Sequence, residues 1–319
     1  MIIWGIVANS HDASIAVFKD NELRWAGLSK DFSKIPNDGH LNKKIIRRAM
    51  RLGKPNKVIW YERPFLKTLR QYWAGQGWLG KENDIPKYLS QYGINCPIEY
   101  TQHHLSHAAY AYYTQPHDDC AVIVMDSIGE FETLTIWHGK NNKLKKIHSQ
   151  GYPHSLGLFY SAMTQRMGLQ AQRDEYLVAD MAAQGDPDRY TNLLLTEIVD
   201  LNQGRPFIKM RENMHRGIDW WRQGEINPAD YNDLAAAVQS VFETCLLEIH
   251  EWTLLKTKSK YLALAGGGAL NRKAVNLIRQ DRYPAHVPHN PGDPGSCVGA
   301  VLAQTKTKID LEGKWMNGL

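Results

Sequence analysis

One layout occurs twice in this chain, and it limits the fold more than any single motif does. Residues 2–7 read as a strand, 13–18 as a second, and Asp20-Asn21 turns the chain into a third at 23–28. The order returns with strands at 120–125, 131–137 and 144–148, the last turn made by Gly139-Lys140-Asn141-Asn142. In both copies small and polar residues fill the connection after the first strand: Asn9-Ser10-His11-Asp12, then Asp126-Ser127-Ile128-Gly129-Glu130. Mixed helix and strand follows each meander. The patterns predict helices over 41–52 and 103–114 with a strand at 57–61 between them. Later helices are predicted over 155–168, 229–256, 269–280 and 296–306, with a strand at 261–265.

Two such halves predict an α/β protein with a duplicated ribonuclease-H-like fold, one lobe at 1–117 and the other at 118–319. A nucleotide cleft would lie between them, where the two polar turns offer backbone N–H groups to phosphates. The stretch at about 203–228 has scattered Gly, Pro and charge without a period, and reads as an insertion or flexible excursion. With 319 residues, 43% hydrophobic and 22% charged, the chain is neither disordered, collagen-like nor a coiled coil. No apolar run approaches the roughly 18 residues of a membrane span, and the start lacks the basic region of a signal peptide. Cysteines at 96, 120, 245 and 297 have no CxxC spacing and read as free thiols. A soluble protein of the cytoplasm is expected, the host's if the source is viral.

The formal charge is +5, unevenly spread. Residues 39–61 hold no acid and seven bases, and Lys43, Arg47 and Arg51 make one helical stripe beside Lys44 and Arg48. It is a solvated face or a track for a polyanion. Several of the ten tryptophans stand in polar company: Gln71-Tyr72-Trp73, Trp78 and Asp219-Trp220-Trp221-Arg222. They are core or interface residues, or platforms on which bases stack.

The segment richest in chemistry is Gln102-His103-His104-Leu105-Ser106-His107. His103 and His107, four apart, share a helix face and can reach one metal; His104 points elsewhere. Asp126 ends an apolar strand at a cleft edge, and Asp293 sits in the loop Pro291-Gly292-Asp293-Pro294-Gly295 ahead of a helix. Two histidines and one or two carboxylates suit non-haem iron, with zinc or manganese as alternatives. A buried strand also runs into Gly266-Gly267-Gly268 and then a helix, an arrangement that admits an anion or nucleotide. It is neither a Walker A loop nor a GxGxxG fingerprint.

Taken together in order, Ser10-His11-Asp12-Ala13-Ser14, His103-His104-x-x-His107-Ala108, Asp126-x-x-Gly129-Glu130, Ser155-Leu156-Gly157-x-Phe159-Tyr160-Ser161, Gly266-Gly267-x-Ala269-Leu270-Asn271 and Gly292-Asp293-x-Gly295 carry a resemblance. Over roughly residues 1 to 306 the chain resembles the O-carbamoyltransferases of antibiotic and nodulation-factor biosynthesis. It is more distantly similar to the tRNA threonylcarbamoyl-adenosine enzymes. The resemblance implies the ASKHA fold in its Kae1-like form, with metal ligands His103, His107, Asp126 and Asp293, usually for iron. It implies nucleotide contacts at Asn9, Ser10, Ser127, Gly129, Glu130, Gly266, Gly267, Gly268 and Asn271, with Ser155 near the phosphate. The implied reaction activates carbamoyl phosphate with ATP, and its Mg²⁺, as carbamoyl-adenylate, then passes the carbamoyl group to a hydroxyl. His11, held by Asp12, or His104 is expected to take the acceptor proton. A structural role for His11 is the alternative.

Two departures from that pattern stand out. The chain ends at Leu319 without the YrdC-like domain of larger relatives, so the adenylate is expected from a partner protein or from this domain itself. The family's Lys-x-Met-Gly-Leu-Ala segment corresponds to Leu177-Val178-Ala179-Asp180-Met181-Ala182, which lacks the lysine. Short phage-encoded relatives, similar to this chain, are associated with 5-hydroxymethylcytosine. With the basic stripe, that makes a hydroxymethylated pyrimidine in DNA or RNA the expected acceptor. The alternatives are a small sugar or secondary metabolite, or a nucleotide-binding subunit of a larger assembly.

Overall fold

The computed structural model describes residues 1–77, 80, 83–201, 204–279 and 285–315. The doubled layout is present. Strands β1 (Ile2–Val7), β2 (Ser14–Lys19) and β3 (Glu22–Leu28) form an antiparallel meander. Strands β4 (Lys57–Trp60) and β5 (Ile98–Tyr100) add in parallel on the other side of β1, giving the order β3-β2-β1-β4-β5. The meander is repeated by β6 (Cys120–Gly129), β7 (Glu132–Lys140) and β8 (Lys143–Gly151). After a ribbon of β9 (Val199–Asp200) and β10 (Lys209–Met210), β11 (Leu262–Ala265) and β12 (Ala285–His286) add in parallel beside β6. The two sheets share one order and one polarity, as duplicated ribonuclease-H-like lobes require.

Local chemistry explains both copies. The central strands β1, β4, β6 and β11 are nearly continuous runs of buried apolar residues, because helices cover both faces. The hairpin turns Asp20-Asn21 and Asn141-Asn142 have positive φ at both residues, 53° and 65° in one and 49° and 57° in the other. Asp and Asn tolerate that conformation, and it matches the right-handed twist of the strands. Helix Lys43–Leu52, capped by the Asn42 side chain, buries Ile45, Ile46 and Ala49. Lys43, Lys44, Arg47 and Arg51 stay exposed, and Arg48 is half-buried.

Helix His103–Tyr113 is buried on nearly every side, being wedged between the lobes. Helix Ser296–Thr305 packs on it and on β1 so tightly that a Cβ at Gly299 would stand 1.9 Å from the Ser106 carbonyl oxygen. Cys297, Val298 and Val301 therefore belong to the core of the first lobe, although the expected boundary puts them in the second. The chain crosses back before it ends.

The stretch expected to be a flexible excursion is packed instead. Ile208, Met210, Met214, Ile218, Trp221 and Ile226 are buried in the second core, and the Arg166 Nε donates to the Trp221 carbonyl at 2.7 Å. Gln203 and Trp78 lie outside the described residues. Helices Pro64–Trp73, Ile85–Ser90, Glu175–Met181 and Thr191–Glu197 were not expected from the patterns. The four cysteines are free thiols. Among the described residues no helix is long and apolar enough to cross a membrane.

Candidate metal centre between the lobes

Three chain segments converge on one point. The first turn of helix His103–Tyr113 brings His103 and His107 to the same side, since four residues make just over one turn. Asp126 comes from β6 where its pairing with β7 shifts register, between Met125 and Gly129. Asp293 opens the short turn Asp293–Gly295 ahead of the last helix. One ligand atom from each residue lies within 4.8 Å of all the others. His103 Nε2 is 3.0 Å from Asp126 Oδ2, 3.1 Å from His107 Nε2 and 3.4 Å from Asp293 Oδ1. His107 Nε2 is 3.7 Å from Asp126 Oδ2 and 3.4 Å from Asp293 Oδ1.

Donors held at about 2.1 Å from one ion stand about 3.0–3.5 Å apart, so these spacings are those of a coordination shell. His103, His107 and Asp293 are buried and Asp126 nearly so, an unfavourable place for two carboxylates unless positive charge joins them. Burial and their mutual repulsion push the Asp126 and Asp293 carboxyls up. Contacts with His103 and His107 overcome this and hold both well below the usual range. Burial lowers both imidazoles, but the facing carboxylates win and raise them. With His103 Nε2 3.1 Å from His107 Nε2, one of the two nitrogens must accept, and a cation would take the place of the protons shared among the four groups. A two-nitrogen, two-oxygen donor set of this kind fits iron, zinc or manganese.

The surroundings aim the ligands. Amides of Ser127 (2.9 Å) and Gly267 (3.4 Å) donate to Asp126 Oδ1, leaving Oδ2 for the shared point. Ser10 Oγ donates to Asp293 Oδ2 at 3.1 Å, bringing the β1–β2 turn of the first lobe to the site. Glu62 Oε2 lies 3.6 Å from His103 Nδ1, just beyond a hydrogen bond, and Lys67 Nζ donates to Glu62 Oε1 at 2.7 Å. Carboxylate partners of this sort orient a metal-binding imidazole. Sequence reasoning missed Glu62 and Lys67, because nothing in Tyr61-Glu62-Arg63-Pro64 marks a residue whose partner is 41 positions away.

The other expected residues divide. Gly266 has φ +87°, and a Cβ there would stand 2.1 Å from the Met125 carbonyl; one at Gly268 would meet the Met125 side chain at 2.8 Å. The glycines let this turn lie against the end of β6 and orient Asp126. Glu130, expected at a nucleotide, is buried and bonded to Arg63 by backbone and guanidinium, tying the lobes together. Gly129 packs under the rings of His103 and His104. Ser155 caps helix Leu156–Arg166 and donates to the Ser127 carbonyl at 2.8 Å. Asn271 caps helix Arg272–Arg279 and pairs with Gln239.

His104 is fully buried, with Nδ1 on Thr135 Oγ1 at 2.9 Å, and burial holds it neutral. An acceptor cannot reach a ring with no exposed surface, so His104 does not fit the expected base. His11 is half-exposed at the mouth, 3.9 Å from Asp293 Oδ2. The Asp12 carboxylate, 3.8 Å from Nδ1, outweighs burial and, with the carboxylates of Asp293 and Asp126, pushes it up to about 9. Asp12 is itself held by Lys30 at 2.8 Å.

Residues 91–302 match the family model described as the carbamoyltransferase N-terminus. The chain belongs to this carbamoyltransferase family. It is 28% identical over 348 aligned positions to the uncharacterized protein sll1178 of Synechocystis, covering 94% of this chain and 56% of that protein. It is also 28% identical over 213 positions to the nodulation protein NolNO of Sinorhizobium fredii, covering 64% of this chain and 31% of that one. This carbamoyltransferase-family chain thus spans about half or less of the length of these curated relatives. Among solved structures it is similar to HypF of T. kodakarensis, with a TM-score of 0.55 at 12% identity over 99% of this chain and 49% of that one. It is also similar to the activator of the 2-hydroxyisocaproyl-CoA dehydratase from Clostridium difficile with bound ADPNP. There the TM-score is 0.51 at 11% identity, over 96% and 95% of the two chains. These likenesses show the duplicated two-lobe fold.

Proposed function

We propose that the chain transfers a carbamoyl group, formed as carbamoyl-adenylate from carbamoyl phosphate and ATP, to an acceptor hydroxyl. The observation that carries this reading is the His103–His107–Asp126–Asp293 quartet, reached by turns from both lobes in a chain of the carbamoyltransferase family. The acceptor oxygen bonds to the carbamoyl carbon, the bond from that carbon to the phosphate oxygen breaks, and AMP leaves with the electron pair. The acceptor proton passes to a base. A divalent transition ion held by the quartet supplies Lewis-acid stabilisation of the developing oxyanion. The chain's own groups do the rest. Ser127, Gly267 and Ser10 hold the two aspartates in place, and Ser10 brings the β1–β2 turn to the site. His11 is our choice of base, because it is the half-exposed imidazole at the mouth of the site, 3.9 Å from Asp293 Oδ2.

For the acceptor we favour the hydroxymethyl group of 5-hydroxymethylcytosine in nucleic acid. The exposed bases Lys43, Lys44, Arg47 and Arg51 and the exposed rings of Trp73 and Trp220 support it. A second reading, a small sugar or metabolite hydroxyl, is favoured by a cavity of about 750 Å³ lined by Asn9, Ser10, His40, Lys87, Tyr88 and Gln91. The test is nucleoside mass spectrometry after incubation with hydroxymethylcytosine DNA, ATP, carbamoyl phosphate and ferrous iron. A gain of one carbamoyl group, abolished by His107→Ala, is the expected result. Nucleotide turnover without that gain favours the small acceptor. Absence of transfer to either class, even with carbamoyl-adenylate supplied, contradicts the reading.

A further inference from the structure

Arg70 is the most anomalous charge in the molecule outside the quartet. It lies on helix Pro64–Trp73 and is only 8% exposed. Its one hydrogen bond among the described residues runs from Nη1 to Gln76 Oε1 at 2.9 Å, and its Nε is buried without a partner. Among the described residues no carboxylate bonds to it. A guanidinium does not shed its proton, so the charge stays, and an unpaired buried charge is strongly unfavourable. The nearest acid, Glu62, is already engaged by Lys67.

More positive charge gathers there from the opposite lobe. Gln76 Nε2 stands 3.4 Å from His215 Nε2, so one side chain spans Arg70 and His215. Arg216 Nη2 donates to the Gly75 carbonyl at 3.2 Å and makes no ion pair among the described residues. Burial together with the Arg70 and Arg216 charges lowers His215, the mark of a site already too positive. Tyr152, whose hydroxyl accepts from Asn213 at 2.7 Å, closes one side, and its ring meets exposed Trp73 edge-on at 5.6 Å. The buried guanidinium, the second arginine and the hydroxyl are groups that suit an oxyanion.

We infer that Arg70, Arg216 and His215 form a phosphate-binding subsite bridging the lobes. It extends the transfer reading by naming where a substrate phosphate is held, and rests on that reading only for the source of the phosphate. The donor's phosphate and an acceptor's phosphodiester present the same oxygens, and an arginine fork suits both.

Inorganic phosphate binding, measured by titration calorimetry on the full chain in a chelator, tests this apart from metal and from transfer. Wild type binds at one site. Arg70→Gln is expected to weaken binding about tenfold or more, the loss of a charge-assisted bond. Arg216→Ala, an exposed position that leaves folding intact, is expected to weaken it several-fold and carries the test if the buried variant fails to fold. Displacement of phosphate by carbamoyl phosphate assigns the donor, and displacement by a dinucleotide with one phosphodiester assigns the acceptor. No phosphate binding by wild type, unchanged affinity in Arg216→Ala, or displacement by neither ligand overturns the subsite. Transfer failing while phosphate still binds would instead count against the transfer reading alone.

Discussion

At the scale of single residues, the site is decided by who holds each ligand. Glu62 faces the outer nitrogen of His103 and touches no proposed substrate. Glu62→Gln removes its charge while keeping its shape, and is expected to weaken metal affinity about 10–100-fold. Titration of the apoprotein with ferrous or cobaltous ion reads this directly. Gly266 is a different constraint: at φ +87° with the Met125 carbonyl underneath, no side chain fits. Gly266→Ala is expected to cost about 2 kcal/mol or more in urea unfolding, and to loosen Asp126 through the neighbouring Gly267 amide. At this scale the sequence was legible where spacing alone makes the chemistry, as in His103 and His107. It was illegible where a group works through a partner far along the chain. Glu130, Ser155 and Asn271 carry family motifs, yet their polar atoms are engaged in a lobe tie and two helix caps. Arg70 resembles any helix arginine until its burial and its unpartnered Nε are seen.

At the scale of elements, the two meanders could be read because each is a set of short strands whose last hairpin is an Asp-Asn or Asn-Asn turn, and each owes little to distant contacts. The strands that escaped are short or borrowed. Strand β5 has three residues, two of them exposed, and β12 has two residues altogether. Each exists because a parallel neighbour supplies its hydrogen bonds. The stretch around 203–228 was misread because its buried residues project one at a time from turns, without a helix or strand period. Between elements, the strongest lobe tie is Arg63 to Glu130. Arg63→Ala leaves a buried carboxylate with only a backbone N–H from that residue. It is expected to lower stability by about 2–3 kcal/mol, seen as a lower urea midpoint with the slope retained.

At the scale of the whole molecule, duplication explains why a site forms here at all. Each lobe contributes a polar turn after its first strand, and the helix His103–Tyr113 carries two ligands into the space where the turns meet. The last helix returns to the first lobe and brings Asp293 with it. Closing the quartet therefore requires the lobes to be docked, so metal and fold are linked. Saturating metal at about 100 times its dissociation constant is expected to stabilise the folded chain by about 2.7 kcal/mol, and the gain should vanish in Asp126→Asn. A thermal melt with and without ferrous ion checks it.

The most direct test of the account is the metal content of the reconstituted, desalted chain, measured by elemental mass spectrometry for wild type and His107→Ala. The account predicts one transition-metal ion per wild-type chain and none retained by the variant. A wild-type chain that retains no ion, or a variant that retains as much, would contradict it.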